Sequence, residues 1–196
     1  MSPFARTSGN GSDHRVLIAY ASKYGTTGEV AEAMARTMCQ QGAAADTMRI
    51  ADVRDLSVYD AVVIGGAIHY DKWMSEARHF VTANEDMLST LPVAYFFTCG
   101  ILAEGSEKAE NKALRYAGKL EELSEQIKPV SIGRFAGALD YGRMKLLTRI
   151  VWMIVFTLAF RAHEGDYRNW DAISAWAESV LNLDDWRRRP LGTPLA

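Results

Sequence analysis

Residues Val16 to Met38, VLIAYASKYGTTGEVAEAMARTM, constrain this chain more than any other stretch. Val16-Leu17-Ile18-Ala19-Tyr20 is an unbroken apolar run, as suits a strand buried on both faces of a parallel sheet. Ser22-Lys23-Tyr24-Gly25-Thr26-Thr27 is small and rich in hydroxyls. Behind it Val30, Ala31, Met34, Ala35 and Met38 recur at spacings of three and four, the apolar stripe of a helix. Strand, hydroxyl-rich turn and helix N-terminus together make an anion site, because unpaired N–H groups and the positive end of the helix dipole point into the turn. The same serine and threonines also suit a plain helix cap, so both readings stand at this point.

The turn is not a P-loop, since no Gly-Lys-Ser/Thr follows a glycine at the required distance, and it lacks the three spaced glycines of the dinucleotide fingerprint. It resembles the phosphate loop of flavodoxins, Thr/Ser-x-Thr-x-Gly-x-Thr and its variants, matched here by Ser22, Gly25 and Thr27, with Tyr24 where a further threonine is common.

With 196 residues, 48% apolar and 23% charged, the chain is of the size and balance of one soluble α/β domain. A net charge of −2 speaks against a nucleic-acid binder, and it is modest beside the strongly acidic electron-carrier flavodoxins. Cys39 and Cys99 have neither metal-ligand spacing nor a partner framework, which points to a reducing, cytoplasmic setting. Residues 1–14 lack the apolar core of a secretory signal and read as a disordered lead-in. Residues 15–184 read as one domain, and 185–196 as a basic tail led by Trp186-Arg187-Arg188-Arg189.

Along the domain, Gly42 caps the first helix, and the weakly apolar stretch Ala43 to Ile50 suits an edge strand. Ala61 to Gly65 is a third strand, introduced by Tyr59-Asp60 and followed by a long loop from Gly65 to Trp73. Helices are expected over Ser75 to Leu88, Glu107 to Gln126 and Asp171 to Leu183, and strands over Val93 to Thr98 and Val130 to Leu139. Strands alternating with helices argue for a parallel sheet with right-handed crossovers. Five such strands suit the flavodoxin-like order 2-1-3-4-5, with a ligand at the carboxyl ends of strands one and three. Asp140 to His163 does not fit that plan. Ile150 to Phe160 has only Thr157 as a polar member, with Arg143, Lys145, Arg149 and Arg161 around it. A helix from Leu146 to Phe160 is roughly 22 Å long at 1.5 Å per residue, short of the ~30 Å hydrocarbon core. A buried helix, a protein–protein surface such as a homodimer interface, and a helix lying in a membrane interface remain open, and the basic flanks favour anionic head groups.

Tyr59-Asp60-Ala61-Val62-Val63-Ile64-Gly65, Ala67-Ile68-His69-Tyr70 and Ala136-Gly137-Ala138-Leu139-Asp140-Tyr141, with that extra basic and aromatic segment before the last helix, resemble the menaquinone-dependent protoporphyrinogen IX dehydrogenases. Where that family commonly has serine, arginine and arginine, this chain has Ala67, His69 and Asp140. The resemblance implies FMN as cofactor, a porphyrinogen-like substrate, a quinone acceptor, and peripheral contact through residues 143–161 with the inner face of the cell membrane. It assigns Ser22, Lys23, Tyr24, Gly25, Thr26 and Thr27 to the flavin phosphate. Ala67, Ile68 and Tyr70 fall on one side of the ring, and Thr98, Cys99 and Gly100 on the other. No catalytic residue is singled out and no metal site emerges, although His69 sits in the expected crevice with a useful titration range. Trp73 either stacks on the ring or covers the following helix. A flavodoxin-type electron carrier and a cytoplasmic NAD(P)H-dependent FMN reductase are the alternatives.

Overall fold

The computed structural model describes residues 6–7, 14–139 and 165–183. The apolar segment 140–163, most of the lead-in and the tail 185–196 lie outside the described residues. Five parallel strands form the sheet: β2 (Arg15–Ala21), β3 (Ala44–Arg49), β4 (Ala61–His69), β6 (Val93–Cys99) and β7 (Ser131–Ala136). Their spatial order is β3-β2-β4-β6-β7, which is 2-1-3-4-5 in chain order. Within the lead-in, β1 (Arg6–Thr7) pairs antiparallel with β3. β1 covers only Ala45 and Asp46, so β3 ends the row of parallel strands, the edge position its low hydrophobicity suggests, with a two-residue antiparallel cover.

α1 (Thr26–Gln40) and α5 (Trp170–Leu181) cover one face of the sheet. α2 (Ser75–Ala83), α3 (Glu85–Leu88) and α4 (Glu107–Glu121) cover the other. The period-two alternation of a strand divides the core accordingly. Val62 and Ile64 of β4 face the α2–α4 side, and Ala61 and Val63 the α1–α5 side. Phe96 is fully buried on the latter, with the rings of Phe135 and Trp176 both 6.5 Å from its own.

Gly42 ends α1 as expected. Its φ of 94° is a left-handed conformation, and its N–H reaches Cys39 O while Ala43 N–H reaches Met38 O, closing the last carbonyls. The single helix expected over Ser75 to Leu88 is two. Asn84, at φ −119°, leaves helical geometry and turns its side-chain amide onto Phe80 O at 2.8 Å. Met74, not Ser75, precedes the first helical residue, and the Ser75 hydroxyl bonds Glu76. α4 stops at Glu121 rather than Gln126, because Ser124 Oγ accepts from the N–H groups of Gln126 and Ile127 and turns the chain away. The fifth strand is likewise divided: β7 ends at Ala136, and β8 (Ala138–Leu139) leaves the sheet to pair antiparallel with β9 (Gly165–Asp166).

Candidate functional site: a crevice at the carboxyl edge of the sheet

Strand register brings the expected loops together. Ala21 lies opposite Gly66, Ala67 opposite Thr98, and Cys99 opposite Ala136, so the carboxyl ends of β2, β4, β6 and β7 form one row. The turn Ser22 to Gly25 leaves this row and runs straight into α1. Gly25 sits at the helix N-cap with φ 90° and ψ −22°, in the left-handed region. Ser22 Oγ accepts from the Gly25 N–H at 2.9 Å and holds that bend. Gly28 must be small, since a Cβ there would stand 2.8 Å from the ring of Tyr20. In the first turn of α1 the N–H groups of Thr26, Thr27 and Gly28 have no intrahelical partner and point out of the helix. These N–H groups are the donors a phosphate would meet there. Thr27, expected at the phosphate, also braces the crevice: its Oγ1 lies 3.0 Å from Thr98 Oγ1, both residues are buried, and the contact fastens α1 to the end of β6. Lys23 is exposed, and Tyr24 turns its ring toward His69, 6.4 Å between centroids.

Two arginines support this turn. Arg49, at the end of β3, donates to Ser22 O at 3.1 Å. Arg168, just beyond β9, donates to Thr26 O at 3.2 Å and Glu29 Oε2 at 2.6 Å, and grips Asp166 with two bonds of 2.7 Å. Its side chain is only 8% exposed and its guanidinium lies over Trp170, 4.4 Å from the ring centre. Arg168 pairs with the Glu29 carboxylate in the first turn of α1, next to the anion site. Neither arginine stands out in the sequence. Arg49 is signalled only by ending a strand at the ligand edge, and Arg168 by nothing before the fold is known.

Hydrogen bonds from Arg168 hold the Asp166 carboxyl below its usual range. The stabilisation this implies is complete above the unfolded carboxylate value of about 3.9 and disappears as the pH falls through the lowered folded value. Arg168→Met is therefore expected to cost about 1–2 kcal/mol at pH 7, discounted for the partial exposure of both carboxylates. In urea melts the gap from the parent protein should shrink below about pH 4, and a gap independent of pH would assign the loss to packing alone.

The stretch from Gly65 to Trp73, expected as a long loop, is instead strand and hairpin. β4 runs on to His69, and β5 (Lys72–Trp73) folds back on it with Ile68 opposite Trp73. Tyr70 and Asp71 make the two-residue turn, with φ of 49° and 59°. Both dihedrals are positive, as in a type I′ turn. The turn is tied down on α4, where the Asp71 carboxylate accepts from the Tyr116 hydroxyl and from Lys112 at 2.7 Å. Alternation then sorts the candidates. Ala67 and His69 share the α1 side of β4, facing the phosphate turn, whereas Ile68 packs toward the α2–α4 side. Tyr70, at the tip, is 81% exposed. Trp73 covers the following helix: it is buried, its indole N–H donates to Gly66 O at 3.2 Å, and its ring lies 5.4 Å from Tyr95. On the far side of the crevice, Thr98 and Cys99 are buried at the end of β6, and Gly100 opens a 3-10 turn through Glu104. Burial pushes the Cys99 thiol above its usual range, so it is a packed side chain and not a thiolate nucleophile.

Burial and, next, the charge of Lys23 hold the His69 imidazole below its usual range, against an opposing pull from Glu76. His69 is thus chiefly neutral at pH 7 and offers one donor and one acceptor to the crevice. Replacing Lys23 by Gln is expected to raise its titration midpoint, read from the ring proton signals; an unmoved midpoint would mean that Lys23 does not face the ring. Among the described residues, no group of three or more His, Cys, Asp or Glu is placed to hold a metal ion.

A profile of the family described as Flavodoxin domain matches residues 17–163. The chain belongs to the flavodoxin domain family. Its relatives include the protoporphyrinogen IX dehydrogenase [quinone] of Escherichia coli strain K12, 27% identical over 179 residues and covering 87% of this chain and 97% of that one. The protein of the same name from Leishmania major is 25% identical over 185 residues, covering 92% of this chain and 78% of that one. Among solved structures, oxidised flavodoxin 2 from Bacillus cereus superposes with a TM-score of 0.54 at 17% identity, covering 85% of this chain and 97% of that one, a likeness of fold.

FMN is the cofactor of this flavodoxin domain, and the residues present fit it. The first turn of α1 offers the N–H groups of Thr26, Thr27 and Gly28 to a phosphate, and Gly28 lets the helix start close against the Tyr20 ring of β2. When bound, FMN supplies the hydride and electron chemistry. Ala67 and His69 on one side, and Thr98 to Gly100 on the other, bound the space above the sheet edge.

Proposed function

We propose that this chain is an FMN-dependent oxidoreductase that oxidises protoporphyrinogen IX, or a closely similar reduced substrate, with a quinone as acceptor at the inner face of the membrane. The observation that carries the reading is the match to two curated relatives of that name over nearly the whole chain, coupled with a crevice built for FMN. The position of the residues on either side of the apolar segment supports it. Leu139 and Gly165 are paired, so residues 140–164 leave and return at one point beside β7, on the crevice edge. In this reading that segment meets the membrane and admits the quinone. Among the described residues, no helix is long and apolar enough to cross a membrane.

The residues of the chain have four tasks. The α1 cradle holds the phosphate, with Ser22, Arg49 and Arg168 fixing its shape. Neutral His69 and the exposed Tyr70 present the ring edge and the substrate entrance. The buried Thr27–Thr98 contact keeps the two walls of the crevice at a fixed separation. Small Ala67 leaves the crevice face of β4 free of bulk, while the Cys99 thiol packs on the opposite, α2–α4 face.

Anaerobic turnover of the FMN-loaded protein on protoporphyrinogen IX, with and without a menaquinone analogue, tests the proposal. Porphyrin formation that depends on the quinone is the expected result. No turnover with FMN firmly held sinks the substrate assignment, and turnover on NAD(P)H instead identifies a reductase.

A further inference from the structure

On the side of the β4–β5 hairpin away from the phosphate turn lies a cavity of about 370 Å³. Buried Trp73, Tyr116 and Leu120 line it, together with exposed Lys72, Arg78 and Lys119. Two carboxylates are near. Asp71 is balanced by Lys112 and by the Tyr116 hydroxyl, which leaves Glu122 as the remaining acid of the lining. Among the described residues, none of the three cations has a carboxylate within ion-pair distance. Lysines and arginines on a helix surface are ordinary. A hollow walled by a buried tryptophan, tyrosine and leucine beneath three of them is not, because it offers an apolar body and an anionic arm their separate environments at once.

Resting on the oxidoreductase reading above, we propose that this cavity seats the acid-bearing edge of the substrate. A porphyrinogen is an apolar macrocycle carrying propionate arms. One ring edge lies against Trp73 and Leu120, with its carboxylate among Lys72, Arg78 and Lys119. The cavity has room for one edge of a tetrapyrrole rather than all of it, so the rest of the macrocycle extends over the hairpin tip. The geometry of β4 links the two sites: Ile68 lines the cavity while its neighbour His69 faces the crevice, on opposite faces of one strand. A substrate held by its acid arm therefore reaches the crevice around the exposed Tyr70.

The test uses the full-length FMN-loaded protein and protoporphyrin IX, the air-stable product, as probe. The triple variant Lys72→Glu, Arg78→Glu, Lys119→Glu is compared with the parent by porphyrin titration and by KM on protoporphyrinogen. All three side chains are exposed, so fold and FMN affinity should survive; flavin fluorescence checks this, and the single variant Lys119→Glu on α4 repeats the measurement with the hairpin untouched. The expected result is porphyrin binding weakened roughly tenfold or more and KM raised to match, with kcat little changed. The dimethyl ester, lacking the acid arms, should bind parent and variant alike. A variant that binds porphyrin and oxidises porphyrinogen as the parent does overturns this site and leaves the proposed function standing. A parent protein that neither binds nor oxidises the porphyrinogen takes down both.

Discussion

Replacing Gly65 by valine should strongly destabilise this protein. A Cβ at Gly65 would lie 2.0 Å from Cε1 and Cζ of Phe96, far inside contact distance. Phe96 has nowhere to go, since it is fully buried and ringed by Phe135 and Trp176. Gly65 also sits mid-strand, paired with Tyr20 on one side and Phe96 on the other, so the backbone cannot retreat without breaking two ladders. Overpacking in a rigid core costs about 1–3 kcal/mol, and a β-branched side chain here should reach the upper end, near ~3 kcal/mol. A urea midpoint shifted down accordingly is the expected reading. The double change Gly65→Val with Phe96→Ala should lose less than the sum of the two single losses, because the two residues compete for one volume. A Gly65→Val protein as stable as its parent would mean that β4 and β6 are not neighbours in this register.

The second large effect concerns the cofactor. Gly25 holds φ 90° at the start of α1, a conformation that a β-branched residue adopts only under strain. Gly25→Val forces a choice between carrying about 1–3 kcal/mol of strain and rearranging the turn. Rearrangement breaks the Ser22 to Gly25 bond and redirects the first N–H groups of the helix. If the binding of FMN has to restore the native turn, its affinity falls by the same energy, roughly 5- to 150-fold at 1.4 kcal/mol per factor of ten. Flavin fluorescence titration reads this directly. The companion Lys23→Gln should weaken binding far less, because Lys23 is exposed and the cradle is made of backbone donors. Equal losses in the two variants would mean that side-chain charge, not the shape of the turn, holds the phosphate.

Much of this could be read along the chain, for definite reasons. The strands buried on both faces, Val16 to Tyr20, Ala61 to Ile64 and Val93 to Phe97, carry unbroken apolar runs, and five strands separated by helices leave few right-handed orders. The convergence of Ser22–Thr27, Ala67–Tyr70 and Thr98–Gly100 then follows from topology. The hairpin was not legible, because Tyr70-Asp71 makes a turn that the sequence usually announces with Asn-Gly or Asp-Gly. Without the extension of β4 to His69, the period-two alternation could not be applied. So Ile68 and Ala67 read as neighbours on one wall, when they face opposite ways. Thr27 shows a different limit: the partner of its hydroxyl, Thr98, is 71 residues away, and only the fold brings the two together. Arg168 reaches Glu29 across 139 residues, and nothing local marks either as a partner. Contacts of that kind are written by the fold and not by any segment.

The central claim is that FMN lies across the carboxyl edge of the sheet, with its phosphate on the first turn of α1. Recording the amide correlation spectrum of the labelled protein before and after one equivalent of FMN tests it most directly. The largest shifts are expected on Thr26, Thr27 and Gly28, with a second group over Ala67 to Tyr70 and Cys99 to Gly100. Shifts centred instead on the amino edge of the sheet, around Asp60 and Val93, or spread without pattern, would contradict it.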